Sequence, residues 1–236
     1  MNNLIGISGL KGSGKDETAQ MLQFCLNTPK ILHRYWIYKR FNKYFKQKYK
    51  IHRFADPLKR VLATLLSVDI ESFESRDFKE NFYLDFNTLN IYPKPLVETT
   101  NPDFILPDNK FSKLAKDLNI NLIEDYFLSI RQVLQYVGTE VMRTFLGNRL
   151  WILATFKNPD KYKIISDVRF KVEYEEIKKR DGIIIHIQRP GCKVGTHASE
   201  KEVQEMFANK QFTYFINNTG SLQDLFRDVE QISKWI

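Results

Sequence analysis

The stretch "LIGISGLKGSGKDETAQ", Leu4 to Gln20, constrains this chain more than any other. A short apolar run ends in glycine, a turn carrying Gly12 and Gly14 follows, and Ala19, Leu22 and Leu26 then recur at helical spacing. The order is strand, loop, helix. From Gly9 the spacing reads G-x-x-x-x-G-K, with Asp16 where that pattern has serine or threonine. A glycine turn in this setting exposes backbone N–H groups, and the helix N-terminus adds a positive dipole end, so the loop from Lys11 to Lys15 is built to hold phosphates. A glycine turn that merely links strand to helix would need neither the full spacing nor the lysine. The expected contacts to ATP are Lys11, Gly12, Ser13, Gly14, Lys15, Asp16 and Thr18, with Lys15 neutralising charge between the β- and γ-phosphates. Asp16 does not disable such a loop. A carboxylate is a hard oxygen ligand and can serve Mg2+ directly or through water, while Lys11, Lys15 and the ion offset its charge.

The remaining sequence sets bounds on the architecture. A length of 236 residues suits one α/β domain with insertions, and 43% hydrophobic with 27% charged residues argues against wholesale disorder. The longest apolar runs, such as "GIIIHI" from Gly182, are far shorter than the roughly 20 residues a membrane helix needs. No secretory signal is evident, and Cys25 and Cys192 have no metal-ligand spacing. A reducing cytoplasm is the expected compartment. The net charge of +8 is concentrated: between Thr18 and Ala55 there is no acidic residue, while nine lysines and arginines fall in the same span.

Five strand candidates, "LIGISG", "YKIHRF", "YKIISDVRF", "GIIIHIQRP" and "FTYFINN", alternate with helical patterns. The fold class expected is α/β, a five-stranded parallel sheet with helices on both faces, plus helical and irregular insertions. In such sheets ligands sit beyond the carboxyl ends of the strands, where both the glycine loop and "SDVR" fall. Residues 1–236 are read as one domain, with an inserted basic segment at about 28–50 and an irregular excursion at about 56–148, to which the resemblance named below assigns acceptor binding. "ADPLKRVLATLL" reads as a helix with Asp56 as N-cap and Pro57 at its first position. The stretch from Asp85 to Asn121 holds Pro93, Pro95, Pro102 and Pro107 with little periodicity. "FLSIRQVLQYVGTEVMRTFL" reads as helical throughout. In the basic segment, Ile31, Tyr35, Tyr38, Phe41 and Phe45 form a helical stripe, and packing explains it better than a stacking groove for single-stranded nucleic acid.

Taken together, "SGLKGSGKDETA", "FADPLK", "IRQVLQYVGTEVMR", Trp151, "SDVRF" with Glu173, "HIQRPG", "THASE" and "INNTGSLQDLF" resemble the bacteriophage deoxynucleoside monophosphate kinases, in order and over nearly the whole chain. The resemblance implies a nucleoside-monophosphate-kinase fold and transfer of the terminal phosphate of ATP, with Mg2+, to a deoxynucleoside monophosphate. It implies substrate contacts at Lys59, Arg131, Gly138, Thr139, Trp151, Arg169 and Glu173, and it sets "NNTG", Asn217 to Gly220, beside the adenine. Two arginines can grip a phosphate through forked donors, and a lysine adds a point charge. A G-K-D loop occurs in that family. Glu17 stands where the family often has threonine, and the basic segment has no clear counterpart.

Each residue also has a plainer reading. Asp167 can bind magnesium through water or cap the following turn; with Lys15 and Arg169 it completes the expected catalytic set. Arg169 can contact phosphate or pair with Glu173. Trp151 is core or base platform in equal measure. His197 and Glu200 fit a lid or a solvated helix start, and Arg143, Arg149 and Arg189 are further candidates for charge stabilisation. The expected partners are ATP and the acceptor nucleotide; a homodimer is compatible with the sequence, and neither nucleic acid nor a membrane is required. Two rivals remain, another small-metabolite kinase of the phosphomevalonate type and an ATP-driven nucleic-acid-binding module. The N-K-x-D guanine motif is absent.

Overall fold

The computed structural model describes residues 2–27, 32–41, 47–86, 88–93, 127–192, 198–208 and 212–236. Along the chain the elements are β1 (Leu4–Gly9), α1 (Lys15–Asn27), α2 (Leu32–Phe41), β2 (Tyr49–His52), α3 (Asp56–Leu66), α4 (Arg76–Asn81), β3 (Phe82–Asp85), β4 (Ile91–Pro93), β5 (Phe127–Ser129), α5 (Ile130–Gln135), α6 (Met142–Leu146), α7 (Leu150–Phe156), β6 (Tyr162–Val168), α8 (Lys171–Lys178), β7 (Ile183–Gln188), α9 (Ala198–Ala208), β8 (Tyr214–Asn217) and α10 (Leu222–Ser233). Contacts divide them into two units, Met1–Asp56 with Asn148–Ile236, and Pro57–Gly147.

The first unit is built on a five-stranded parallel sheet in the order β2-β6-β1-β7-β8. All five strands coincide with the strand candidates of the sequence. β1 lies in the middle and every one of its residues is buried, which is why "LIGISG" is continuously apolar or small. On one face Ile5, Ile7, Ile164, Ile185 and Ile187 meet Leu22 and Phe24 of α1 and Phe226 of α10. On the other, Gly6 makes room for α8: a Cβ there would stand 2.8 Å from the Ile177 side chain. Because the strands are parallel, the turns after their carboxyl ends leave the sheet along one edge, and the candidate site is assembled there.

Two aromatic residues of α2 belong to the core. Tyr35 and Tyr38 are buried, with ring centroids 5.5 and 5.1 Å from Phe24. Tyr35 donates its hydroxyl hydrogen to Glu17 at 2.7 Å, and Lys39 reaches the other oxygen of Glu17 at 2.5 Å. Glu17 thus ties α2 to the first turn of α1. Ile31 and Phe45 of the expected stripe lie outside the described residues.

The second unit holds α3 to α6 and a three-stranded antiparallel sheet in the order β4-β3-β5, which the sequence reading did not anticipate. Its strands are three or four residues long, too short for alternation to register. β5 takes the first three residues of a stretch expected to be helical. The helix starts at Ile130 because Ser129 and Gln132 form a capping box: the Ser129 Oγ accepts the Gln132 N–H, and the Gln132 Oε1 accepts the Ser129 N–H at 2.9 Å. After Gln135 the helix widens into a π turn, Tyr136–Val141, before α6. Asp56, expected as N-cap of α3, instead turns its carboxylate back to accept the Arg53 N–H at 3.0 Å, the task of the third residue of a capped turn.

Candidate active site

Between β1 and α1 the loop has the geometry its glycines demand. Gly12 and Gly14 have φ of +83° and +103°, in the left-handed region that favours glycine. A Cβ on Gly14 would also fall 2.7 Å from Asn218 Nδ2, which donates to the Ser13 carbonyl at 2.9 Å. Asn218, at the end of β8, therefore braces the loop from behind. Ser13 donates its amide to the Leu10 carbonyl, and Thr18 donates to Gly14. Among the described residues, the amides of Gly12, Gly14, Asp16 and Glu17 donate to no protein acceptor, which leaves an array of N–H groups at a helix N-terminus. Lys15 is buried, and its ammonium donates to the Leu10 carbonyl at 2.6 Å, so its charge is held across the loop. Lys11 is exposed, whereas Ser13 and Thr18 are buried.

Asp16 projects into solvent, 71% exposed, with Arg53 Nη2 3.7 Å from its Oδ1. Arg53 begins the turn between β2 and α3. That turn is clamped by Asp167: Oδ1 accepts the Phe54 N–H at 2.8 Å and Oδ2 accepts the Ala55 N–H at 3.1 Å. Burial pushes the Asp167 carboxyl up from its ordinary pKa, while Arg169 and the two amides pull it back. Asp167 thus fastens the turn between β2 and α3, and not the turn that follows it, which its plainer reading expected it to cap. One lone pair remains on each oxygen. The donor set suits magnesium, which keeps several waters and takes one or two carboxylates with substrate phosphates. Asp16 supplies the accessible oxygen, and no cluster of three or more His, Cys, Asp or Glu that would hold a metal unaided occurs among the described residues.

Arg169 follows β6, and its guanidinium makes no hydrogen bond among the described residues. Glu173 does not pair with that guanidinium by hydrogen bond. It is 2% exposed and accepts the backbone N–H groups of Arg169 and Phe170 at 2.9 and 3.2 Å, capping α8. The Glu173 carboxylate is thereby committed to positioning the Arg169 backbone. Trp151 is 5% exposed within α7, and a ring so enclosed belongs to the core. Arg149 is held at 2.7 Å by Glu176, which Arg180 also grips, and this places it in a structural ion cluster.

Beside the loop lies a cavity of about 290 Å³, lined by Leu10, Ser13, His186, Arg189, Cys192 and Val203 among others. Arg189 is thus brought to the phosphate loop. Burial drives the His186 imidazole down to about 4, and the nearby Lys15 ammonium adds to the effect. Its ring stacks on Phe212 at 4.4 Å. His197 and Glu200 lie outside the residues whose side chains are described.

In the second unit the expected acceptor contacts are ion-paired. Lys59, nearly buried on α3, donates to Glu74 at 2.6 Å, and Arg131 on α5 donates through Nε to Glu80 at 2.8 Å. Gly138 sits in the π turn, where a Cβ would meet Leu58 at 2.5 Å; the glycine lets this turn lie against α3. Thr139 follows it, half-buried, and Arg143 is buried on α6. Sequence reasoning missed Arg53, which only the register of β2 brings to the loop, the bracing role of Asn218, and His186, hidden in an apolar run.

Comparison with known proteins agrees with this geometry. A protein of Acanthamoeba polyphaga mimivirus is 33% identical over 115 residues, 42% of this chain and 58% of that protein. The deoxynucleotide monophosphate kinase of Enterobacteria phage T4 is 24% identical over 98% of each chain. The deoxynucleoside-5'-monophosphate kinase of Escherichia phage T5 is 26% identical over 76% of this chain and 73% of that enzyme. The model of the family described as deoxynucleotide monophosphate kinase matches residues 3–229. With a braced phosphate loop on the central strand and that match over almost its entire length, the chain belongs to the deoxynucleotide monophosphate kinase family.

Proposed function

We propose that this phosphotransferase moves the γ-phosphate of ATP, in the presence of Mg2+, to a deoxynucleoside monophosphate, giving ADP and the deoxynucleoside diphosphate. The observation that carries the reading is the loop itself, with N–H groups of Gly12, Gly14, Asp16 and Glu17 that donate to no described protein acceptor, next to the Lys15 ammonium. Those amides cradle the donor phosphates. Lys15 exchanges the Leu10 carbonyl for phosphate oxygens and withdraws charge as the bond to the bridging oxygen breaks. Magnesium, when bound, supplies further charge withdrawal from the phosphate oxygens, and Asp16 is the residue to hold it, with Asp167 reaching it through water. Arg169 and Arg189 are the guanidinium donors for phosphate on the first unit. No side-chain nucleophile is needed, because direct in-line transfer depends on positioning and charge neutralisation.

Lys59 and Arg131 serve the acceptor phosphate, with Gly138 and Thr139 on the base-facing π turn. Their present partners, Glu74 and Glu80, hold both cations in place and must yield part of each contact to the incoming phosphate. No helix of the described residues is long and apolar enough to cross a membrane.

The test is ADP release coupled to a colour change, with ATP and magnesium, run against each deoxynucleoside and ribonucleoside monophosphate, phosphomevalonate and single-stranded DNA. Release driven by deoxynucleoside monophosphates is the expected outcome. Turnover with phosphomevalonate alone, or ATPase raised by DNA and indifferent to monophosphates, defeats the proposal in favour of the corresponding rival.

A further inference from the structure

We infer that Arg53 is a positioning residue of the phosphate loop, whose guanidinium orients the Asp16 carboxylate and offsets its charge. The inference rests on reading that loop as an ATP site. A carboxylate in place of a hydroxyl puts a full negative charge beside a triphosphate, which is unfavourable until something positive compensates it. Arg53 Nη2 lies 3.7 Å from Asp16 Oδ1, and Nη1 lies 4.0 Å from Asp56 Oδ1. One forked, permanently charged group therefore faces two carboxylates, which a lysine point charge cannot do in the same geometry.

The position of that guanidinium is set by the backbone beneath it. Asp167 takes the N–H groups of Phe54 and Ala55, Asp56 takes that of Arg53, and the Arg53 carbonyl accepts the Asp56 N–H at 3.1 Å. Four hydrogen bonds in four residues fix the turn, so the backbone that carries the Arg53 side chain is already ordered before it pairs with Asp16. Asp167 acts on Asp16 through this turn, besides any direct part in the site. With Arg53 29% exposed and Asp16 71% exposed, the pair is screened, and the expected signature is a dependence on metal more than a large loss.

The measurement is ATP affinity by titration calorimetry, once in EDTA and once in excess magnesium, on the full chain and its variants. Arg53→Ala is expected to weaken metal-free binding about three- to tenfold, and to weaken binding less when magnesium is present to compensate. Arg53→Lys keeps the charge without the fork and is expected to recover only part of the affinity, which separates this effect from a failure to fold. In an Asp16→Asn background the same Arg53→Ala change should cost less than about twofold in EDTA, since the charge it offsets is gone. An undiminished loss in that background, or no metal-free loss in the single variant, overturns the inference. Wild-type protein that binds ATP with this pattern but phosphorylates no monophosphate leaves Arg53 in its role and defeats the acceptor assignment; wild-type protein that binds no ATP defeats both.

Discussion

On the proposed reading, the glycine loop and the second unit would meet phosphate with different materials. Around Gly9 to Lys15 the proposed ligand surface is backbone: amides oriented by left-handed glycines, braced by Asn218 and closed by the Lys15 bond to Leu10. In the second unit the expected contacts are long side chains, Lys59 and Arg131, each steadied by a glutamate. A backbone cradle is nearly independent of its neighbours' identity, whereas an ion-paired side chain depends on the balance with its partner. Substitutions in the first region should therefore act as switches, and those in the second as adjustments.

The sharpest way to break that contrast is Lys15→Ala. Removing a preorganised donor of this type is expected to lower kcat by on the order of 10²–10³-fold, with the melting temperature little changed because the loop keeps its glycines and Asn218. A loss below tenfold would mean that the loop does not direct the transfer. Arg169→Ala comes next, at about 2–4 kcal/mol of transition-state stabilisation read as kcat/KM. Wild-type kinetics in that variant would make Arg169, like Glu173, a structural residue.

In the second unit a paired test is more informative. Arg131→Ala should raise KM for the deoxynucleoside monophosphate about tenfold while leaving KM for ATP unchanged. Glu80→Gln should act in the opposite direction, lowering acceptor KM by about two- to threefold, since a neutral partner competes less for the guanidinium. If both variants raise KM equally, the Arg131–Glu80 pair is a structural tie, and the second unit holds its ligand by other means.

The same division explains what could be read in the sequence. The three central strands, β6, β1 and β7, are largely buried and stand out as apolar runs, and the loop is marked by its glycine spacing, so the central sheet and the strand–loop–helix unit were legible. Strands of three or four residues carry no periodicity, and a capping box inside "FLSIRQ" divides strand from helix at a point no hydrophobic pattern marks. Long-range pairs were equally hidden. Arg53 meets Asp16 across 37 positions only because β2 runs beside β6 at the sheet edge, and Glu17 looks like a departure until Tyr35 and Lys39 are found on its two oxygens. Trp151 and Glu173, substrate contacts that the family resemblance implies, are buried, and Glu173 accepts the Arg169 and Phe170 N–H groups, a local bond that the sequence did not reveal.

The smallest expected effect concerns the support beneath the loop. His186 is buried, stacked on Phe212 and close enough to Lys15 to feel its charge, and its pKa falls to about 4 from the ordinary imidazole value of 6.5. The unfolded chain takes up the proton first, so the folded state is at no disadvantage above pH 6.5 and loses stability progressively as the pH falls towards about 4. Below that the folded protein is protonated too and the loss levels off. Over this window the imidazole accounts for roughly 2–3 kcal/mol. His52, also lowered mainly by burial, contributes in the same direction, so the informative quantity is a difference between proteins. His186→Phe keeps an aromatic ring against Phe212 and removes the proton site. Urea unfolding at pH 7 and pH 4.5 should show the variant gaining about 2–3 kcal/mol relative to wild type on acidification. A gap that stays constant with pH would mean that the ring takes up its proton without opening the fold, and that the ground under the phosphate loop yields more readily than the loop itself.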